Sequence, residues 1–221
     1  DRSPSRGLGD VYKRQDRNFI DARFPVQYVI RPQSKDHHDY RGYGGTVAGG
    51  VLRPGDEMMV LPSGFTFTLT AIDTPAGPVQ EAFAPMAVTL RLDDDVDVSR
   101  GDMLCRPTNR PIVTQDLDAT VCWMDERSEL RPGRTLAIKH TSQWARAKVT
   151  DLGYRLDVNT LHRETDVSAL TLNEVGRVRL RCTRPLFVDD YRRNRVTGSF
   201  MLVDEATNAT VAAGMVRGAG G

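Results

Sequence analysis

The sequence is poor in the residues from which catalytic and metal centres are usually built. Its 221 residues include only three cysteines and four histidines. Cys105, Cys122 and Cys182 are odd in number and widely, irregularly spaced, which excludes a disulfide framework and a CxxC metal site and leaves reduced core thiols. His37 and His38 stand beside Asp39, but neighbouring side chains on an extended chain point apart, and no HExxH or cysteine supplies a further ligand. An exposed loop is the simpler reading. Asp93-Asp94-Asp95 with Asp97 has the charge of a calcium loop but lacks its glycine and its closing glutamate, so it reads as a solvated turn. No metal site is expected, and no catalytic residue.

Nucleotide motifs are equally scarce. A phosphate-binding loop needs GxxxxGK[ST], and the nearest spacing, Gly45 to Gly50, runs into Val51 and Leu52, without the cation or the magnesium-binding hydroxyl. Asp39-Tyr40-Arg41-Gly42 fits DxxG, a pattern short enough to arise by chance, and no Asn-Lys-x-Asp follows. No nucleotide-binding residue and no cofactor are therefore expected within these residues. Charge of one sign is lacking too: 30 Lys and Arg against 29 Asp and Glu leave +1, giving no overall pull toward nucleic acid or membrane. No apolar run approaches the roughly 18 residues of a membrane span, and no signal segment opens the chain, so the expected location is cytoplasmic. Asn208-Ala209-Thr210 matches a glycosylation acceptor, which carries no meaning there.

What the sequence does have is a succession of short strands between turns. Strands are expected at 25–30, 42–51, 57–61, 65–72, 87–92 and 103–105, with Arg53-Pro54-Gly55-Asp56 and Pro62-Ser63-Gly64 as turns. Six strands in some eighty residues, with no long helix, is the spacing of a small closed barrel. Arg106-Pro107-Thr108-Asn109-Arg110-Pro111 is the best internal boundary. Strands resume at 117–124, 135–140 and 144–152, with a helix hinted at 166–172 under an Asp166 cap. A closing trio follows at 172–182, 197–204 and 207–215, expected close together in one antiparallel sheet. The fold class is thus all-β, two consecutive small antiparallel β-barrels, at 16–108 and 109–216. Residues 217–221 read as a tail. Residues 1–15 read as another, in which 7–15 resemble translated sequencing adaptor and so stand apart from the fold.

The basic residues are the one candidate for a surface with a task. Arg177, Arg179 and Arg181 alternate with Val178, Leu180 and Cys182, which places an arginine stripe on the wet face of a strand. Arg192, Arg193 and Arg195 follow in the next loop. The six form a candidate docking face for an acidic partner surface or for RNA phosphate. The simpler reading is a solvated face neutralised by Glu174, Asp189 and Asp190. No aromatic residues interleave with the arginines, as a single-strand platform would require.

A more specific resemblance is carried by several collinear segments. Phe24-Pro25-Val26-Gln27-Tyr28-Val29 with Arg31-Pro32, Arg41-Gly42-Tyr43-Gly44-Gly45-Thr46, Val51-Leu52-Arg53-Pro54-Gly55-Asp56 and Leu61-Pro62-Ser63-Gly64 come first. Glu81-Ala82, Asp97-Val98-Ser99-Arg100-Gly101-Asp102, Leu156-Asp157-Val158-Asn159-Thr160-Leu161 and the closing trio continue in the same order. Together, over about residues 17 to 216, they resemble the large, GTP-binding subunit of bacterial sulfate adenylyltransferase. The resemblance implies two barrels like the second and third domains of elongation factor Tu, placed after a GTPase domain that holds GTP and Mg. It also implies a small catalytic subunit as partner, which makes adenylylsulfate and pyrophosphate from ATP and sulfate; some members carry a fused adenylylsulfate kinase. Neither the GTPase motifs nor a kinase P-loop occurs here, so these residues alone are expected to be inactive, with a role in transmitting the GTPase state. A translation-factor-like module for transfer RNA or ribosome shares the architecture and is the alternative, and a barrel pair without any partner is a third reading.

Overall fold

The computed structural model describes residues 18–31, 40–93 and 97–219. The tail expected at 1–15, the His37-His38-Asp39 cluster, and Asp94 and Asp95 lie outside the described residues. All regular structure among them is strand.

The first barrel is built from β1 (Arg23–Ile30), β2 (Gly42–Thr46), β3 (Val51–Leu52), β4 (Glu57–Leu61), β5 (Thr66–Thr74), β6 (Gly77–Val79), β7 (Ala82–Phe83), β8 (Ala87–Leu92) and β9 (Met103–Cys105). The pairing runs β4-β9-β1-β2-β8-β5 and returns from β5 to β4, so six strands close a ring; β6 extends β5, and β3 pairs with β7 alone. Phe24, Val26, Met58, Val60, Leu69, Ile72, Leu90 and Leu104 fill its interior. The strand expected at 42–51 is interrupted after Thr46. The cause is local: Gly50 adopts φ +72°, and a Cβ there would meet the Ala22 backbone at 2.5 Å. The chain turns away, and Ala48 N–H and Gly49 C=O bond to Arg23 instead. Gly45 serves β2 differently, because a side chain would come within 2.7 Å of the Pro25 carbonyl, so glycine permits the close crossing over β1.

The second barrel comprises β10 (Ile112–Trp123), β11 (Thr135–His140), β12 (Gln143–Leu156), β13 (Arg163–Glu164), β14 (Val175–Val188), β15 (Ser199–Val203) and β16 (Thr210–Ala219). Its ring is β11-β15-β16-β10-β14-β12, closed by β12 on β11, with β13 as a ribbon on β12. Leu117, Ala119 and Val121 of β10 lie beside Val178, Leu180 and Cys182 of the adjacent β14 and point into the same interior, which Trp123 also enters. Burying each large apolar side chain contributes about 1.5–3 kcal/mol.

The closing trio shares one antiparallel sheet as expected, with β10 between β14 and β16. Two expectations need correction. No helix forms at 166–172: Leu170 is withdrawn into the core, where its backbone exchanges two 2.9 Å hydrogen bonds with Leu130, and that burial overrides the local cap signal. Finally, β16 continues to Ala219, so residues 217–219, read as tail, belong to the sheet against β10.

Candidate functional site

The arginine stripe lies where alternation puts it, on the outer face of β14. Across from it on β10, Thr120, Asp118 and Asp116 stand opposite Arg177, Arg179 and Arg181. Arg177 grips Asp118 with two guanidinium nitrogens, one at 2.8 Å, and this fork holds the Asp118 carboxyl below its ordinary range. Arg181 pairs with Asp116. Arg179 makes no ion pair among the described residues and sits in register between Asp118 and Asp151. Exposed pairs of this kind contribute about 0–1 kcal/mol each. Two of the three stripe arginines are thus already engaged by carboxylates of the same barrel.

The loop after β14 is braced from within. Asp190 C=O accepts from Arg193 and Asn194 N–H, and Asn194 Oδ1 accepts from Val196 and Thr197 N–H. It carries Arg192, Arg193 and Arg195, all exposed, yet the three are put to different uses. Arg193 reaches the first barrel, donating through Nε at 2.6 Å and Nη2 at 2.5 Å to Asp21. Arg195 borders an open groove on the second barrel. Arg192 contributes its backbone N–H to Asp190 Oδ1 at 2.8 Å. Of the six candidate arginines, Arg177 and Arg181 are thus engaged within the second barrel and Arg193 by the first.

What the structure does bring together is a polar seam between the barrels. Arg23, fully buried, donates through Nε and Nη2 to Asp189 at 2.8 and 2.9 Å, and through Nη1 to the Asn109 carbonyl at 2.7 Å. Thr197 Oγ1 donates to the same Asp189 carboxylate at 2.6 Å. Asp21 accepts from Asn109 Nδ2 at 2.6 Å as well as from Arg193, and Asn194 Nδ2 donates to the Ala48 carbonyl. Burying two charges costs several kcal/mol per ion unless their hydrogen-bonding groups are satisfied, a condition this arrangement goes far to meet. Hydrogen bonds from Arg193 hold the Asp21 carboxyl well below the usual carboxylate range, against the opposing effect of burial. Burial pushes the His140 imidazole, also in the seam, below its ordinary range, and its Nε2 lies 2.8 Å from the Thr197 carbonyl. A carbonyl only accepts, so the proton sits on Nε2.

Sequence reasoning set Asp189 beside the arginine stripe as a neutralising neighbour and passed over Arg23, Asp21 and Asn109. One signal was present: Arg23 is a charge at the head of an apolar strand, between Ala22 and Phe24. Elsewhere the chemistry is quiet. Burial pushes the Cys105 thiol up to about 11 and Cys182 up to about 12, which keeps both protonated and unreactive. No group of His, Cys, Asp and Glu able to hold a metal ion occurs among the described residues.

The chain is similar to several known proteins. Residues 116–217 match the family described as GTP-eEF1A C-terminal domain-like. The chain is 60% identical over 209 residues to the bifunctional enzyme CysN/CysC of Mycobacterium tuberculosis strain H37Rv, covering 95% of this chain and 34% of that protein. It is 44% identical over 209 residues to sulfate adenylyltransferase subunit 1 of Bacteroides fragilis, covering 95% of this chain and 43% of that one. The chain is homologous to the CysN and sulfate adenylyltransferase subunit 1 proteins. It spans between about a third and less than half of the length of these relatives. Crystal structures of sup35 complexed with GMPPNP and with GDP share the fold of this chain, at TM-scores of 0.80 and 0.83 with 20% and 18% identity. Those matches cover 93% and 100% of this chain and about half of each sup35 chain.

Proposed function

We propose that this chain is the two-barrel portion, 16–108 and 109–216, of the GTP-dependent large subunit of sulfate adenylyltransferase. The observation that carries this reading is 60% identity along 95% of the chain to a CysN/CysC protein. In the intact protein a GTPase domain, holding GTP and Mg, adjoins the barrels. A small catalytic subunit joins ATP to sulfate, giving adenylylsulfate and pyrophosphate in the cytoplasm. The barrels supply no reacting group. Their task is transmission: a pair tied by the Arg23–Asp189 and Arg193–Asp21 contacts moves as one body when the GTPase domain changes state, and so shifts the population of active and inactive partner.

The alternative, a module for transfer RNA or ribosome, is not favoured. Arg177 and Arg181 are engaged by Asp118 and Asp116, and the relatives named above are CysN/CysC and sulfate adenylyltransferase subunit 1 proteins. The reading is tested by replacing the corresponding segment of the Mycobacterium tuberculosis CysN/CysC protein with this chain and mixing the chimera with the small catalytic subunit. Sedimentation should show a stable heteromer. A chimera that binds GTP and yet sediments apart from the small subunit would sink the proposal.

A further inference from the structure

The outer face of the second barrel carries a groove of about 650 Å³ that neither the seam nor the arginine stripe uses. Its origin is a single cross-strand row. Trp144 of β12 stands opposite Lys139 of β11, Lys139 opposite Met201 of β15, Met201 opposite Ala213 of β16, and Ala213 opposite Cys122 of β10. Ala213 is the small member between larger ones, so the row dips at β16. Met215 and Val196 flank the dip, and Trp144, Met201, Met215 and Val196 all leave more than a third of their surface exposed. Exposed Met around one depression, with an exposed Trp beside the groove-lining Lys139, is the composition of a protein-binding surface.

The charge around it is one-sided. Lys139 and Arg195 line the groove, and among the described residues no carboxylate does. Lys139 is half-buried with its ammonium 5.4 Å from the centre of the Trp144 ring, and it makes no ion pair among the described residues. A half-buried cation over an aromatic face, with no acid beside it, is a seat for an incoming carboxylate.

We propose that this groove binds a polypeptide segment of a partner protein that presents a bulky apolar side chain flanked by aspartate or glutamate. The apolar side chain fills the dip over Ala213 between Met201 and Met215, and the carboxylate meets Lys139. This does not depend on the assignment to sulfate activation, since it rests on the surface alone.

The probe is a random dodecapeptide library displayed on phage and selected against the intact chain. Enriched peptides should combine a large apolar residue with a nearby acid. Ala213→Trp, which fills the dip, should weaken them at least tenfold, and Lys139→Glu should weaken them comparably while the variant still unfolds in one cooperative transition. Because Lys139→Glu adds no bulk, it keeps the test decisive if Ala213→Trp does not fold. Failure to enrich any peptide above the bare support, enrichment of peptides without acids, or undiminished binding to the folded variants would each overturn the proposal.

Discussion

Arg23 has exchanged all of its water for protein acceptors, and such an exchange is sustained only while each partner stays in place. Removing the cation alone leaves Asp189 buried with Thr197 as its remaining side-chain donor. Arg23→Met should therefore cost about 3–5 kcal/mol, whereas a well-packed apolar replacement of both partners can be close to neutral. Urea unfolding followed by tryptophan fluorescence checks this, because both tryptophans, Trp123 and Trp144, report on the second barrel. The double variant Arg23→Met with Asp189→Leu should lose much less than the sum of the single losses; strict additivity would mean that the two residues do not act as a pair. Asp189 also marks the limit of reading the sequence at this scale. Its charge was legible, but its partner is 166 positions away on the other barrel, and no local pattern encodes that pairing. The arginine stripe was the reverse case: alternation fixed its direction correctly, whereas the carboxylates that engage it stand on β10, more than fifty residues earlier.

At the level of strands, period-two alternation and Pro-Gly turns made most of the elements visible, because each depends on residues within a few positions of one another. The order of strands around each ring was not visible, since it depends on which edges meet when the core closes. The helix expected at 166–172 failed for a related reason, because Leu170 gains more from the barrel interior than from a local turn. Gly214 shows how exacting the closed ring is. On β16, a Cβ at this position would overlap the ring of Phe200, its neighbour on β15. Gly214→Ala should therefore overpack the core by about 1–3 kcal/mol, lowering the melting temperature of a barrel of this size by roughly 4–8 °C per kcal/mol. Calorimetry on the variant measures the shift directly. A melting temperature unchanged from wild type would show that Phe200 moves aside at no cost.

As a whole molecule the chain is two closed barrels joined by buried charges, homologous to proteins of which it represents less than half. No group of His, Cys, Asp and Glu able to hold a metal ion occurs among the described residues, and the task proposed for the barrels is to pass a change from one neighbour to another. The most direct test uses the chimera in complex with the small catalytic subunit. Pyrophosphate released from ATP and sulfate is measured with GTP present and with GDP in its place. The account predicts release that rises severalfold with GTP, and a smaller rise when Arg23→Met loosens the seam while GTP hydrolysis persists. Pyrophosphate release that is identical with GTP and GDP in an intact heteromer would contradict it.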